Sequence, residues 1–293
     1  MMLMKADVKR VVRACTPRAL RNWLRSPGKS ARWVLNEAKY AAGVREDVEV
    51  RPGWRVRSHP SAYAYAYFNQ KLDPEQAAEF DEFIEACRPG MVLFDIGAHF
   101  GLFSLAALKF GGADSKAVAV DPSPTAARIL RIQSRLNGAG ARMKVVRACV
   151  GERAGWTPMV ATGVSGAGYF LSPSDHSGGE LTKTPAVTLD QLAEDFGARP
   201  THLKIDVEGA EAAVLRGGRA LLSSPDAPLI FIELHNEIVS ARGDSPAETV
   251  GQLKAFGYTK FSAGGSPASE ASILSKPLVR IVAEKNGGAG VAA

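Results

Sequence analysis

Two carboxylates and two glycines, set where an apolar run gives way to a helical pattern, have the clearest chemical potential in this sequence. Asp95, Gly97 and Gly101 lie in MVLFDIGAHFGLFSLA (residues 91–106), and Asp121 follows 24 residues after Gly97. Glycine permits a tight turn and a close approach of backbone and ligand. A dinucleotide site needs G-x-G-x-x-G to hold a pyrophosphate on a helix N-terminus. Here the spacing is G-x-x-x-G beside a carboxylate that would repel a pyrophosphate, so the pattern favours the cationic nucleoside S-adenosylmethionine over NAD.

The surrounding pattern indicates an open α/β unit that would position these residues. Met91–Ile96 predicts a strand, Leu102–Phe110 a helix, and Ala117–Val120 a second strand that ends at an acid. An acid about 20 residues beyond the glycine turn can accept both ribose hydroxyls, although a generic α/β turn with solvated acids is the alternative. The third strand is predicted over Lys144–Val150, and its end could cover an adenine. The candidate cofactor-binding residues are Asp95, Gly97, Ala98, His99, Gly101, Asp121, Pro122, Ser123, Ala148 and Cys149.

Three further side chains follow two later predicted strands, where open α/β sheets place their ligands. Asp206 and Glu208 lie at the end of HLKIDV (202–207), and His235 follows LIFIE (229–233). They are the candidate catalytic residues, because a carboxylate or an imidazole can take a proton from a reacting group. We assign His235 as the base and Asp206 as an orienting group. A histidine satisfied structurally by its neighbours is the alternative. An Asp/Glu pair could hold Mg²⁺, but no third oxygen ligand is evident and no metal is predicted.

Composition limits the class of protein. The chain has 293 residues, of which 46% are hydrophobic, enough for a sizeable core. The three cysteines (15, 87 and 149) are widely spaced and fit neither a disulfide framework nor a zinc cluster, which suits a reducing cytoplasm. No apolar run is long enough to span a bilayer, and no secretory signal is evident. We therefore expect a cytoplasmic protein.

Positive charge is concentrated at the N-terminal end. Residues 1–60 contain 14 Lys and Arg against 5 Asp and Glu, whereas the remainder contains 22 against 25. This asymmetry argues against a nucleic-acid groove across the body of the protein. We predict a basic helical extension over residues 1–60, including two short helices before residue 40. It would dock on its own domain or a second subunit, or contact anionic lipid at the inner membrane face.

The rest of the chain is predicted to form one domain over residues 61–285, followed by a disordered tail at 286–293. A short hairpin is expected within 48–60, and Leu278–Ala283 suits an antiparallel last strand. Residues 152–185 predict irregular loops or short hairpins over the cofactor pocket. Aromatic residues and one histidine could face ligand or simply pack: Tyr63, Tyr65, Tyr67, Trp156, Tyr169, Phe170 and His176.

Five motifs together resemble one known family. FDIGAHFG, VAVDPSP, VTLDQL, LKIDVEGAE and IELH are similar to the FkbM family of S-adenosylmethionine-dependent methyltransferases, over roughly residues 70–265. The resemblance implies an O-methyltransferase with the Rossmann-like seven-stranded sheet of class I methyltransferases. It also implies an acceptor hydroxyl, most readily on a sugar or cell-surface glycan. A small-molecule or lipid-linked natural product, or a non-catalytic cofactor-binding module, are the alternatives.

Two positions depart from the family pattern. His99 stands where the family usually has Asn, and Asp121 where it usually has Glu. A histidine could still donate a hydrogen bond to the methionine carboxylate, with pH sensitivity near neutrality. The shorter Asp121 side chain reaches less far towards a ribose.

Overall fold

An eight-stranded sheet organises the chain in the computed structural model, which describes residues 27–63, 74–162, 168–170 and 180–286. Its strands are β3 (Val92–Ile96), β4 (Lys116–Val120), β5 (Met143–Val146), β10 (His202–Ile205), β11 (Leu229–Leu234), β12 (Tyr258–Ala263), β13 (Ser266–Pro267) and β14 (Val279–Lys285). Five neighbouring strands are parallel, in the order β5-β4-β3-β10-β11. Beyond them β14 runs antiparallel to both β11 and β12, and β13 pairs with β12 at the edge.

The topology creates a crevice beside β3. The chain runs outward from β3 through β4 to β5 and then returns to the other side of β3 as β10. Connections therefore leave β3 and β10 in opposite directions, and this is where open sheets bind ligands, at the carboxyl ends of the strands. The Rossmann-like class I sheet and its antiparallel last strand are confirmed. The two-residue β13 is an addition to the predicted seven strands.

Helices cover both faces of the sheet. Along β3, Leu93 packs into one core cluster, whereas Phe94 and Ile96 pack into the other. Alternation of this kind follows from the period of two in a strand. The helices are α1 (Pro27–Ala41), α2 (Pro60–Ala62), α3 (Pro74–Ala86), α4 (Leu102–Phe110), α5 (Pro124–Leu136), α6 (Leu189–Phe196), α7 (Glu211–Arg216), α8 (Arg219–Ser223), α9 (Asn236–Ala241), α10 (Pro246–Ala255) and α11 (Glu270–Leu274). Within the described ranges, every helix is too short or too polar to cross a bilayer.

A second sheet replaces the predicted irregular region. Its order is β6-β9-β7-β8, and β7 and β9 pair antiparallel along their length. The predicted loops or short hairpins are therefore wrong for residues 155–162 and 180–187, which form strands of eight residues each. Pairing between these two strands stabilises them although the local periodicity is weak. The prediction of one strand over Lys144–Val150 was also wrong, because β5 ends at Val146 and Cys149 and Val150 belong to a strand of the second sheet. The strands are β6 (Cys149–Val150), β7 (Gly155–Thr162), β8 (Gly168–Phe170) and β9 (Glu180–Val187).

The N-terminal hairpin is confirmed as β1 (Glu46–Arg51) and β2 (Trp54–Ser58). Val48 and Trp54 are buried in the same core cluster as Phe80 of α3. Several predictions fall outside the described residues: the helices before residue 27, Tyr65, Tyr67, His176 and the tail beyond residue 286.

Candidate active site

The glycine turn after β3 is so closely packed that neither Gly97 nor Gly101 has room for a side chain. A Cβ on Gly97 would lie 1.8 Å from the backbone oxygen of Asp206, and a Cβ on Gly101 would lie 2.7 Å from Cδ2 of Leu130. Both glycines also have left-handed φ values of 82°. Gly97 therefore lets β3 and β10 approach at their carboxyl ends, and Gly101 lets α4 pack on the core. Their contact with the cofactor stays a prediction.

The side chain of Asp95 connects the end of β3 to the start of α4. Its side chain is buried, and Oδ2 accepts hydrogen bonds from the backbone N and the Oγ of Ser104, at 3.1 and 2.6 Å. Burial raises the pKa of Asp95 to about 6, although the hydrogen bonds from Ser104 oppose this. The carboxylate thus fixes the first turns of α4 in position, and a direct contact with the cofactor stays a prediction.

Asp121 lies at the carboxyl end of β4 and organises both neighbouring loops. Its Oδ2 accepts from the backbone N of His99 at 3.0 Å, and its Oδ1 accepts from the backbone N of Ser123 at 2.8 Å. Each carboxylate oxygen has a second lone pair, so the group can still accept hydroxyl hydrogens. Burial raises the pKa of Asp121 to about 7. The Oγ of Ser123 is already used, because it caps α5 by accepting from the backbone N of Ala126.

His99 is held in an unusual backbone conformation, with φ at 47°. Its ring stacks on Phe100 with ring centroids 3.8 Å apart. Burial lowers the pKa of this partly exposed ring to about 4, and the charge of Asp206 opposes the change only in part. Desolvation of the ring therefore favours the neutral imidazole in the chain without cofactor, and the expected pH sensitivity of His99 near neutrality stays a prediction.

The remaining cofactor candidates lie at the same edge of the sheet. Pro122 is partly exposed directly after Asp121. Ala148 is buried between β5 and β6, and Cys149 begins the second sheet, where it pairs with Ala186. Their proximity to an adenine stays a prediction.

The structure brings the three predicted catalytic residues together. Nε2 of His235 lies 3.9 Å from Oδ1 of Asp206 and 3.5 Å from Oε2 of Glu208. The imidazole is buried, whereas the two carboxylate side chains are 37% and 43% exposed. Asp206 follows β10 directly, and its backbone N donates to the oxygen of Ile96 at 2.9 Å. The cluster therefore adjoins the glycine turn.

A fourth residue, Glu211, holds the imidazole of His235 in place. Glu211 suits the N-terminal dipole of α7, but its side chain is only 1% exposed and its Oε1 lies 2.8 Å from Nδ1 of His235. Burial alone would lower the pKa of His235. The hydrogen bond to Glu211, together with the charges of Asp206, Glu211 and Glu208, raises it to about 9. In this arrangement His235 is an imidazolium at neutral pH.

A buried chain of charges, absent from the sequence predictions, extends below the cluster. Arg280 on β14 donates two hydrogen bonds to Glu233, each 3.0 Å long, and its Nε lies 3.4 Å from Oε2 of Glu79 on α3. Nζ of Lys204 lies 2.9 Å from Oε1 of Glu79. Glu233 in turn approaches Nε2 of His235 at 3.6 Å. The motifs LKIDVEGAE and IELH contain Lys204, Glu211 and Glu233, but only the fold shows their partners.

A cavity of about 250 Å³ lies away from the glycine turn, between α3 and β14. Its polar walls include Glu75, Glu79 and Arg280, and none of the predicted cofactor or catalytic residues lines it. Glu79 is already paired with Lys204, and Arg280 with Glu233, so we assign this cavity no part in the chemistry.

The sheet order and the antiparallel last strand are those of the Rossmann-like class I sheet that the sequence predicted. The model of the methyltransferase FkbM domain matches residues 95–260, more than half of the chain. The chain therefore belongs to the FkbM methyltransferase family.

The solved structures to which the chain is similar have low sequence identity to it. The FkbM methyltransferase of Methylobacillus flagellatus KT is 16% identical, with a TM-score of 0.46, and the match covers 77% of this chain. This chain spans about half, 54%, of the length of that protein. The precorrin-6y C5,15-methyltransferase of Geobacter metallireducens GS-15 is 15% identical over 74% of this chain and 92% of its own, with a TM-score of 0.41. No curated protein matches the chain significantly.

Proposed function

We propose that this protein transfers a methyl group from S-adenosylmethionine to a hydroxyl group of a sugar or cell-surface glycan. The observation that carries the proposal is the cluster of Asp206, Glu208 and His235 beside the glycine turn. Two half-exposed carboxylates can accept hydrogen bonds from neighbouring hydroxyls, which are abundant on a sugar. The same groups can receive the proton that the acceptor loses.

The chemistry of the crevice fits a cationic nucleoside. Asp121 presents carboxylate oxygens at the end of β4, and we assign it to the ribose hydroxyls. Asp95 and Asp206 add negative character on either side of the turn, which suits the ammonium and sulfonium groups and opposes a pyrophosphate. When bound, the cofactor supplies an electrophilic methyl group, and the chain has to orient the acceptor hydroxyl and remove its proton.

The proton acceptor is the finer part of the proposal. His235 is the assigned base, but it has to lose its own proton first, because its pKa is raised to about 9. The carboxylates of Glu208 and Asp206 are the alternatives, with Glu208 the more exposed of the two. A rate that rises with pH towards about 9 supports His235, and a rate that is flat from neutral pH upwards supports a carboxylate.

The acceptor can be identified with methyl-labelled S-adenosylmethionine. We would incubate the full chain with a cell-surface glycan extract, a lipid-linked oligosaccharide fraction and a panel of small hydroxylated natural products. Label in the glycan, with a mass increase of one methyl group, supports the proposal. Label in another fraction only would show that the acceptor belongs to that fraction and not to the glycans. Cofactor binding without any transfer favours a binding module.

Replacing Asp121 should weaken cofactor binding and alter its pH dependence. Asp121→Ala is expected to weaken the free energy of cofactor binding by about 1–3 kcal/mol, because the polar groups that were bonded to the carboxylate lose their partner. Bound hydroxyls favour the ionised carboxylate, so wild-type affinity should rise with pH through about 7 and fall as the pH drops below it. Calorimetry should show this slope in the wild type and a flat profile in Asp121→Asn, with no binding of NAD by either.

Asp114 provides the matched control, because it is an exposed acid before the other end of β4. Asp114→Asn should keep both the affinity and the slope of the wild type. An unchanged affinity in Asp121→Ala would contradict the ribose assignment.

We propose peripheral membrane contact through the basic N-terminal segment, which would place the enzyme at the inner membrane face. Residues 1–32 carry nine Lys and Arg against one Asp. Each cation near an anionic surface contributes about 1 kcal/mol. On α1, the apolar side chains of Val34 and Leu35 are 60% and 55% exposed, so both could enter the interface.

The full chain is therefore expected to cosediment with phosphatidylglycerol vesicles at low salt, and less as salt screens the charges. Removal of α1 would be a poor test, because Glu37 pairs with Arg128 of α5 at 2.6 Å. Replacing Arg18, Arg21 and Arg25 by Gln leaves α1 in place and should release the protein. Binding that is equal on neutral phosphatidylcholine vesicles would count against an electrostatic contact.

A further inference from the structure

Three potential metal ligands converge at the carboxyl ends of β10 and β11. Nε2 of His235, a carboxylate oxygen of Asp206 and one of Glu208 all lie within 4.8 Å of one another. Ligand atoms bound to a cation at about 2.0–2.2 Å lie about 3.3–3.6 Å apart in a tetrahedral site. The distances from Nε2, 3.5 Å to Glu208 and 3.9 Å to Asp206, are close to that separation.

The hydrogen bond on the other side of the imidazole is a second, independent observation. An ionised carboxylate only accepts, so Glu211 accepts the hydrogen of Nδ1, at 2.8 Å. This bond directs Nε2 towards Asp206 and Glu208, and a bound cation would take the place of the proton on Nε2. Metal-binding histidines commonly donate their second ring N–H to a carboxylate in this way, which fixes the ring and increases the basicity of the ligand nitrogen.

The backbone that carries Glu208 is held in place as well. Glu208 has φ at 54°, a left-handed value that is uncommon for a side chain of this size. Arg242 stabilises the turn by donating to the backbone oxygens of Glu208 and Gly209, at 3.0 and 2.9 Å. The backbone N of Gly209 also donates to Oε1 of Glu211, at 2.9 Å. One carboxylate thus fixes both the histidine ring and the turn that carries a second ligand.

We propose that Asp206, Glu208 and His235 bind one divalent transition-metal cation of the Mn²⁺ or Zn²⁺ class. The imidazole ligand favours Zn²⁺ over Mg²⁺ and Ca²⁺, which prefer oxygen ligands, and the two carboxylates also suit Mn²⁺. Glu233 is not counted as a ligand, because Arg280 occupies both of its oxygens.

The catalytic role of this cation rests on the proposed function. The cluster adjoins the glycine turn, so a cation held there could polarise the acceptor hydroxyl and ease the loss of its proton to solvent. In that case His235 acts as a ligand and not as the base. Binding of the cation itself does not depend on which acceptor is used.

The test is direct binding to the untagged full chain. Mn²⁺ would be titrated and followed by electron spin resonance of the free ion, with Zn²⁺ and Mg²⁺ measured by calorimetry. We expect one Mn²⁺ or Zn²⁺ per chain and weaker binding of Mg²⁺. Glu211→Gln should weaken binding by about 10–100-fold, the usual effect of removing a partner of a ligand. Asp206→Asn and Glu208→Gln remove ligands and should weaken it by more than about 100-fold.

Glu237→Gln is the matched control, because Glu237 is exposed and lies two residues after His235. It should bind Mn²⁺ like the wild type. Asp206 and Glu208 are partly exposed, so their variants should fold, and the melting temperature without metal checks this. The proposal is overturned if neither Mn²⁺ nor Zn²⁺ binds saturably, or if both ligand variants bind as tightly as the wild type. Metal binding without methyl transfer to any glycan would sink the proposed acceptor and leave the metal site standing.

Discussion

Turnover is expected to fall by about 10²–10⁴-fold when His235 is replaced by Ala, because the imidazole either removes the proton of the acceptor itself or holds the cation that assists its loss. The loss should exceed any change in cofactor affinity, because His235 lies on the β11 side of the cluster and Asp121 on the far side of β3. Asp206→Asn should also lower turnover, since its carboxylate lies 3.9 Å from Nε2. The measurements are kcat on the acceptor identified by labelling and cofactor affinity by calorimetry.

The design has to separate chemistry from stability. Removing His235 leaves the buried Glu211 without its imidazole partner, so part of the effect of His235→Ala could be structural. Asp206→Asn avoids this because Asp206 is partly exposed, and Glu237→Gln provides the exposed control nearby. If His235→Ala keeps near-normal turnover, His235 is structural and the catalytic assignment fails.

The second large effect is expected on stability, at the buried ion pair of Lys204 and Glu79. Their side chains are 3% and 8% exposed. At 2.9 Å the contact is an ion pair, although its angles fall outside those of a hydrogen bond. Burial would lower the pKa of Lys204, but Glu79, Asp206 and Glu233 raise it above its usual value. Lys204→Met or Glu79→Met alone should reduce the free energy of unfolding by about 3–5 kcal/mol, because each leaves its partner's charge buried.

The double variant distinguishes a coupled pair from two independent contacts. Lys204→Met together with Glu79→Met removes both charges and adds apolar volume, so it should cost much less than the sum of the single variants. Urea unfolding at pH 7 measures all three. If the double variant loses as much free energy of unfolding as the two single variants together, the pair is not coupled. Arg280 remains bonded to Glu233 in every variant, which keeps β14 attached to β11.

Local sequence determined the frame of the cofactor site. Met91–Ile96, the two glycines and the acid at 121 follow one another within a single strand–helix–strand unit, so residue spacing alone predicts their arrangement. The antiparallel last strand was predicted from a short apolar run near the C-terminus. The family resemblance added the class of methyltransferase, and the family model confirms it.

Pairings between distant segments could not be predicted in this way. Glu211 and His235 lie 24 residues apart and meet only because β10 and β11 are neighbours in the sheet. The second sheet formed where composition indicated loops, because β7 pairs with a strand that begins beyond an undescribed segment.

The charge states of the site depend on the tertiary structure most of all. His99 and His235 have the same intrinsic pKa, yet burial holds one near 4 while surrounding carboxylates bring the other to about 9. The sequence by itself determined which titratable groups are present and which strand ends carry them. Only the packed structure decided their protonation, because desolvation and Coulomb interactions depend on which atoms surround a group and not on its position in the chain.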